Sequence, residues 1–154
     1  MRKKFVDAAA RQLASARISG VALTCFAGGE EPISSDESYA IQAAVADLVG
    51  PIGGWRVAVY APGQPTRFAP IFSATIADHP ASIRAESLHM IGVEAEIVFR
   101  VAVDLSTSNV PRTRDAAIKS LASIHPAIEV VDTRFENFRA MSPLSILADN
   151  QNSG

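Results

Sequence analysis

The chain has 154 residues, enough for a domain with a real core, and at 48% hydrophobic and 19% charged it is not a disordered segment. A formal net charge of −2, with no basic patch interleaved with aromatics, argues against a nucleic-acid partner. The lone Cys25 excludes an internal disulfide and a cysteine metal cluster, and a buried, inert thiol is its expected state.

Met1-Arg2-Lys3-Lys4 looks like the basic start of a secretory signal, but Asp7, Arg11, Gln12 and Arg17 interrupt any apolar core behind it. No run approaches the length of a membrane span, so a cytoplasmic protein without a membrane partner is expected. Phe5, Ala8, Ala9, Leu13 and Ile18 keep helical spacing and predict a helix over 5–19, stopped by Gly20. Gly28-Gly29 reads as a turn, because no strand–glycine-rich–helix fingerprint surrounds it. Ser34 or Ser35 caps a second helix, with Asp36 and Glu37 in its first turn and Gly50-Pro51 at its end.

The pattern then switches to strands. Trp55 to Tyr60 alternates and is rich in β-formers, with Trp55 expected in the core; residues 68–76 are weakly strand-like; residues 89–103 form the longest β run. Thr113 caps a helix expected from Arg114 to Ile124, a strand follows through Glu129, and Ser142-Pro143 opens a short helical turn. The shift near residue 51 divides the chain into a helical part, 1–50, and a β-rich part, 51–154. The fold class is therefore α+β.

Three glutamates stand out. Glu94 and Glu96 lie in Gly92-Val93-Glu94-Ala95-Glu96-Ile97-Val98-Phe99, and Glu129 lies in Ala127-Ile128-Glu129-Val130-Val131. Residues two apart on a strand share a face, so Glu94 and Glu96 project side by side. One reading makes them the solvent face of an amphipathic strand, with Val93, Ala95 and Ile97 toward the core. The other gives them a hard divalent cation, which relieves the repulsion among carboxylates held close together. The apolar neighbours of Glu129 predict a strand buried on both faces and weigh toward the second. His79, His89 and His125 show no ligand spacing and read as surface or loop residues. Asp132 and Arg134 read as a structural ion pair with each other.

Five stretches together resemble the 2-keto-4-pentenoate hydratase and 4-oxalocrotonate decarboxylase group of the fumarylacetoacetate hydrolase superfamily. They are Ser38-Tyr39-Ala40-Ile41-Gln42, Gly53-Gly54-Trp55-Arg56-Val57, Gly92 to Ile97, Pro126 to Arg134, and Leu147-Ala148-Asp149-Asn150. They occur in the family's order and span nearly the whole chain. The resemblance implies a small helical N-terminal part followed by a mixed β-sheet domain. It implies Mg²⁺ or Mn²⁺ held by Glu94, Glu96 and Glu129, substrate contacts from Asn152 and Ser153, and a homo-oligomer. The implied substrate is a small 2-oxo acid or its dienol. Such an acid chelates the cation through its carboxylate and keto oxygens, and the cation as Lewis acid stabilises enolate charge. Hydration of a short 2-hydroxy-dienoate to a 4-hydroxy-2-oxo acid is the implied activity. Decarboxylation and C–C hydrolysis in the same superfamily share the enolate.

Two departures qualify the resemblance. The family's usual lysine is here Arg56, the catalytic candidate, with Ala58 in place of a glycine. Arginine keeps its charge, so it suits holding a carboxylate or an enolate and not proton transfer. The family also continues with a substantial C-terminal part beyond the Asp149-Asn150 motif. A shortened relative is therefore expected, with an incomplete sheet, open edges and exposed apolar surface. A non-catalytic metal- or partner-binding subunit is the alternative to an active lyase.

Overall fold

The computed structural model describes residues 1–105, 111 and 113–153. Helix α1 (Lys3–Ser19) buries Val6, Ala9, Ala10, Leu13, Ala14 and Ala16 along one stripe. Gly20 ends it in the left-handed region at φ 69°, where glycine carries no Cβ penalty, and donates its N–H to the Ala16 carbonyl. Helix α2 (Ser35–Val49) starts at Ser34, whose hydroxyl accepts from the Glu37 N–H, and ends at Gly50. The turn at Gly28-Gly29 is a short 3₁₀ segment.

Strands β1 (Ile52–Ala58) and β2 (Arg67–Phe72) pair antiparallel, with Trp55 opposite Pro70 and Val57 opposite Phe68. Strands β3 (Gly92–Val101) and β4 (Leu121–Val131) form a second two-stranded sheet. The Ala102 N–H donates to the Ser120 carbonyl at one end, and Gly92 lies against Val131 at the other, so this pair also runs antiparallel. Helix α3 (Arg114–Lys119) precedes β4, and helix α4 (Pro143–Ala148) is capped by the Ser142 hydroxyl. Helices with small antiparallel sheets make the protein α+β. The polar loop expected through Asn109 lies partly outside the described residues.

The chain divides into two compact units, Met1–Gly92 with Val130–Gly154, and Val93–Glu129. The first holds the core, built on Val6, Leu13, Phe26, Ile41, Val45, Phe72 and Phe135. Phe26 is fully buried and meets Phe5 and Phe135 edge-on, at centroid distances of 5.8 and 5.3 Å. The buried amide of Gln42 donates to the Leu147 carbonyl at 2.5 Å and ties α2 to α4.

Four expectations are corrected. The helix after Thr113 stops at Lys119, because Ser120 pairs with Ala102 and Leu121 to Ile124 continue as strand. β4 is not covered on both faces: Ile128 is 75% exposed. Trp55 is 54% exposed and packs edge-on against Phe68 on an open face of β1–β2. Cys25 is exposed, because the loop after α1 turns its neighbour Phe26 inward instead.

Candidate functional site

The second unit carries the acidic cluster. Pleating puts Glu94 and Glu96 on one face of β3. The antiparallel partner β4 brings Glu129 to the same face. One carboxylate oxygen from each lies within 4.8 Å of the others. Glu94 and Glu96 are exposed and Glu129 is half-buried. A hard divalent cation holds its oxygens at roughly 2.0–2.6 Å, so three oxygens this close would need only small side-chain shifts to close on a common ion. Alternation sends Val93, Ile97, Phe99 and Ile128 to the opposite face. There Val93 is 70% and Ile97 66% exposed, so the apolar side of the ribbon does not face a core. Ser123 and His125 hydrogen-bond each other at 2.7 Å further along β4.

The first unit carries a different feature. Asn150, Gln151 and Asn152 follow α4 with φ of 52°, 55° and 60°. Three successive non-glycine residues in the left-handed region are unusual, although Asn tolerates it better than most. All three are buried, as is Ser153. Three arginines grip alternate carbonyls of this segment. Arg134 donates to Asp149 O at 3.2 Å, Arg56 to Gln151 O at 2.9 Å, and Arg17 to Ser153 O at 3.0 Å. Tyr60 donates its hydroxyl to the Gln151 side-chain oxygen at 2.7 Å, and Asn150 Nδ2 donates to Pro70 O at 3.3 Å. Among the described residues, Asn150 Oδ1, Gln151 Nε2 and Asn152 Oδ1 are buried without a hydrogen-bond partner. Buried polar atoms of this kind mark places under functional or structural tension.

Charges around this turn are placed by burial. Arg134 pairs with Asp149 at 2.6 Å, both almost fully buried. This corrects the expected Asp132–Arg134 pair: Asp132 instead accepts from the backbone N–H groups of His89 and Met90. Burial, and then the nearby charge of Arg134, lower the Arg17 guanidinium to about 10. Of the residues expected at a site, the structure thus gathers Glu94, Glu96 and Glu129 in one cluster and Arg56, Asn152 and Ser153 around the turn. Tyr60, Gln151 and Arg17 were not singled out in the sequence. The signal that could have found the turn is the Asn-Gln-Asn run, rich in residues tolerant of positive φ.

No protein-family model matches the chain, and neither does any curated protein sequence. Among solved structures it is similar to 4-oxalocrotonate decarboxylase from Pseudomonas putida G7 complexed with magnesium and adipate, with a TM-score of 0.78 and 18% identity. The same enzyme complexed with calcium and acetate gives a TM-score of 0.72 and 16% identity. Each match covers 99% of this chain but only 61% of the enzyme's. Over nearly its whole length the chain has the fold of the matching part of that decarboxylase.

Proposed function

We propose that this chain is a divalent-cation-dependent, lyase-type domain of the fumarylacetoacetate hydrolase superfamily. Its helical part is residues 1–50 and residues 51–154 belong to the mixed sheet of that fold. Its substrate is a short 2-oxo acid or dienol, and the reaction is hydration of a 2-hydroxy-dienoate to a 4-hydroxy-2-oxo acid. The observation that carries the reading is the convergence of Glu94, Glu96 and Glu129 on one face of β3–β4. Its support is the fold shared with an enzyme solved with magnesium and with calcium.

The three carboxylates would hold Mg²⁺ or Mn²⁺. Bound there, the cation would act as a Lewis acid toward a keto oxygen. Arg56, the catalytic candidate, keeps a fixed positive charge, which suits orientation and leaves proton transfer to other groups. Asn152 and Ser153 are the proposed substrate contacts. Association into a homo-oligomer belongs to the same reading.

A second reading is favoured by the exposure of Glu94 and Glu96. A site open to water binds an ion yet loses the dry, preorganised surroundings on which enolate chemistry depends. In that reading the chain is a metal- or partner-binding subunit without turnover.

Calorimetry of Mn²⁺ with the wild type and with Glu96→Ala separates these from no metal site at all. Binding by the wild type and its loss in Glu96→Ala are expected; equal affinity in both overturns the assignment. Loss of dienol absorbance with the Mn²⁺-loaded protein then decides between the two readings. Turnover of about one per second or faster places the chain in the ordinary enzyme range, and no turnover supports the binding subunit.

A further inference from the structure

We propose that Arg56 is a positioning residue, which with Tyr60 locks the left-handed Asn150–Asn152 turn from the β1 side. The inference rests on the reading that the chain binds a 2-oxo acid, and it assigns how one part of the protein is kept in shape for that task.

Left to itself, a run of three side-chain-bearing residues at positive φ relaxes toward ordinary backbone regions. Something must hold it. Its own backbone supplies two short-range bonds, Asn152 N–H to Asp149 O and Ser153 N–H to Asn150 O, both 3.0 Å. The Asp132 N–H reaches Asn152 O at 2.9 Å from the end of β4. These contacts fix the flanks. The middle residue, Gln151, is held from elsewhere: its carbonyl by Arg56 Nη1 and its side-chain oxygen by the Tyr60 hydroxyl.

The two donors act as a pair because of where they sit. Arg56 lies in β1, and Tyr60 follows two residues after that strand ends. They meet opposite ends of one residue 91 and 95 positions further along the chain. The Tyr60 bond also fixes the Gln151 amide, because the oxygen that accepts it is thereby distinguished from the amide nitrogen. A lysine at position 56 would offer a compact ammonium on a flexible stem, whereas the planar guanidinium directs its donors in fixed directions. Arginine here therefore has a geometric task that needs permanent charge and no proton loss. The exposed ring of Tyr60 carries no part of the core, so its hydroxyl is removable without disturbing the fold.

Hydrogen exchange of the full chain reads the lock directly. Tyr60→Phe and Arg56→Met should each speed exchange of the Asn152 and Ser153 amides by about tenfold or more, the effect of losing a hydrogen bond worth roughly 1.4 kcal/mol. Amides of α1 should be unchanged in both. Titration with oxalate, a small dianion, supplies the second readout. Both variants should lose oxalate affinity by about fivefold or more. Arg56→Lys should restore only part of either. If Arg56→Met loses oxalate while the turn amides keep wild-type exchange, Arg56 contacts the ligand itself and the proposal fails. If Tyr60→Phe changes neither readout, the lock does not exist. Should the wild type bind no oxalate, the reading that the chain binds a 2-oxo acid fails, while the exchange data still decide whether Arg56 and Tyr60 hold the turn.

Discussion

Glu37 shows how much one side chain determines near the start of this chain. Its carboxylate accepts from the Arg2 guanidinium at 2.9 Å, from the Arg2 backbone N–H at 3.0 Å and from the Ile33 N–H at 3.1 Å. The hydrogen bonds from the Arg2 side chain, then from its backbone, lower the carboxyl to about 2, against an opposing push from burial. The unfolded value is about 4.3. A depressed carboxylate stabilises the fold fully above the unfolded value and loses that contribution as pH falls through the folded one. Wild-type thermal midpoints should therefore drop between about pH 4 and pH 2, and Glu37→Gln should flatten that drop while lowering the midpoint at pH 7. Melts recorded by circular dichroism across that range check it; parallel wild-type and variant curves would remove Glu37 from the account. At this scale the sequence was unevenly legible. The closeness of Glu94 and Glu96 was legible because residues two apart on a strand share a face, whereas the approach of Glu129 depends on the pairing of β3 with β4. The partners of Arg134, Arg56 and Asp132 were not legible, because each lies 15 to 95 residues away or on a loop, and only the folded chain brings them together.

At the scale of elements, capping chemistry explains most of what the sequence shows. Ser34, Thr113 and Ser142 each accept from the N–H three residues on, and Gly20 and Gly50 stop their helices. The length of α3 was not legible. Ala116, Ala117, Leu121 and Ile124 satisfy a helical stripe as well as they satisfy a short helix followed by a strand. Pairing with β3 decides the matter, and pairing is not a local property. The start of β1 offers a sharper test of packing. A Cβ on Gly53 would sit 2.9 Å from the backbone Cα of Ser73, whereas one on Gly54 would meet nothing nearer than 3.9 Å. The Ser73 N–H is fixed by the Pro51 carbonyl at 2.9 Å, so that backbone does not yield freely. Gly53→Ala should cost about 1–3 kcal/mol by overpacking, and Gly54→Ala about 0.5 kcal/mol or less in either direction. Urea denaturation of the two variants beside the wild type gives the comparison, and equal costs would show that β1 and the Ser73 turn adjust to each other.

For the molecule as a whole, the decisive feature is the set of large apolar side chains exposed among the described residues. The β3–β4 ribbon has two strands, and a ribbon of that size is marginal in water unless something packs on it. Val93, Ile97, Phe99, Val101, Ile124 and Ile128 are all exposed, and β1–β2 adds Trp55, Val57 and Phe68. The opposite face of the ribbon holds the glutamates, so the two faces differ sharply in chemistry. Patches of this size on a single chain mark contact surfaces or aggregation sites. Full burial of a Val, Ile or Phe side chain contributes about 1.5–3 kcal/mol, and association costs about 4–15 kcal/mol in lost freedom of motion. Covering six such residues on one face is of the same order as that cost. Light scattering should therefore find dimers or larger species, with hydrophobic dye bound by whatever monomer remains. Ile97→Thr with Ile128→Thr keeps β-branched side chains on the strands but removes about 3–6 kcal/mol of burial per contact. That pair should weaken self-association at least a hundredfold, since about 2.8 kcal/mol suffices for that change. It should leave Mn²⁺ affinity unchanged, because the altered residues lie on the face away from Glu94, Glu96 and Glu129. A wild type that is a monodisperse monomer and binds no dye would refute self-association. Loss of Mn²⁺ binding in the double variant would show that the two faces of the ribbon are not independent.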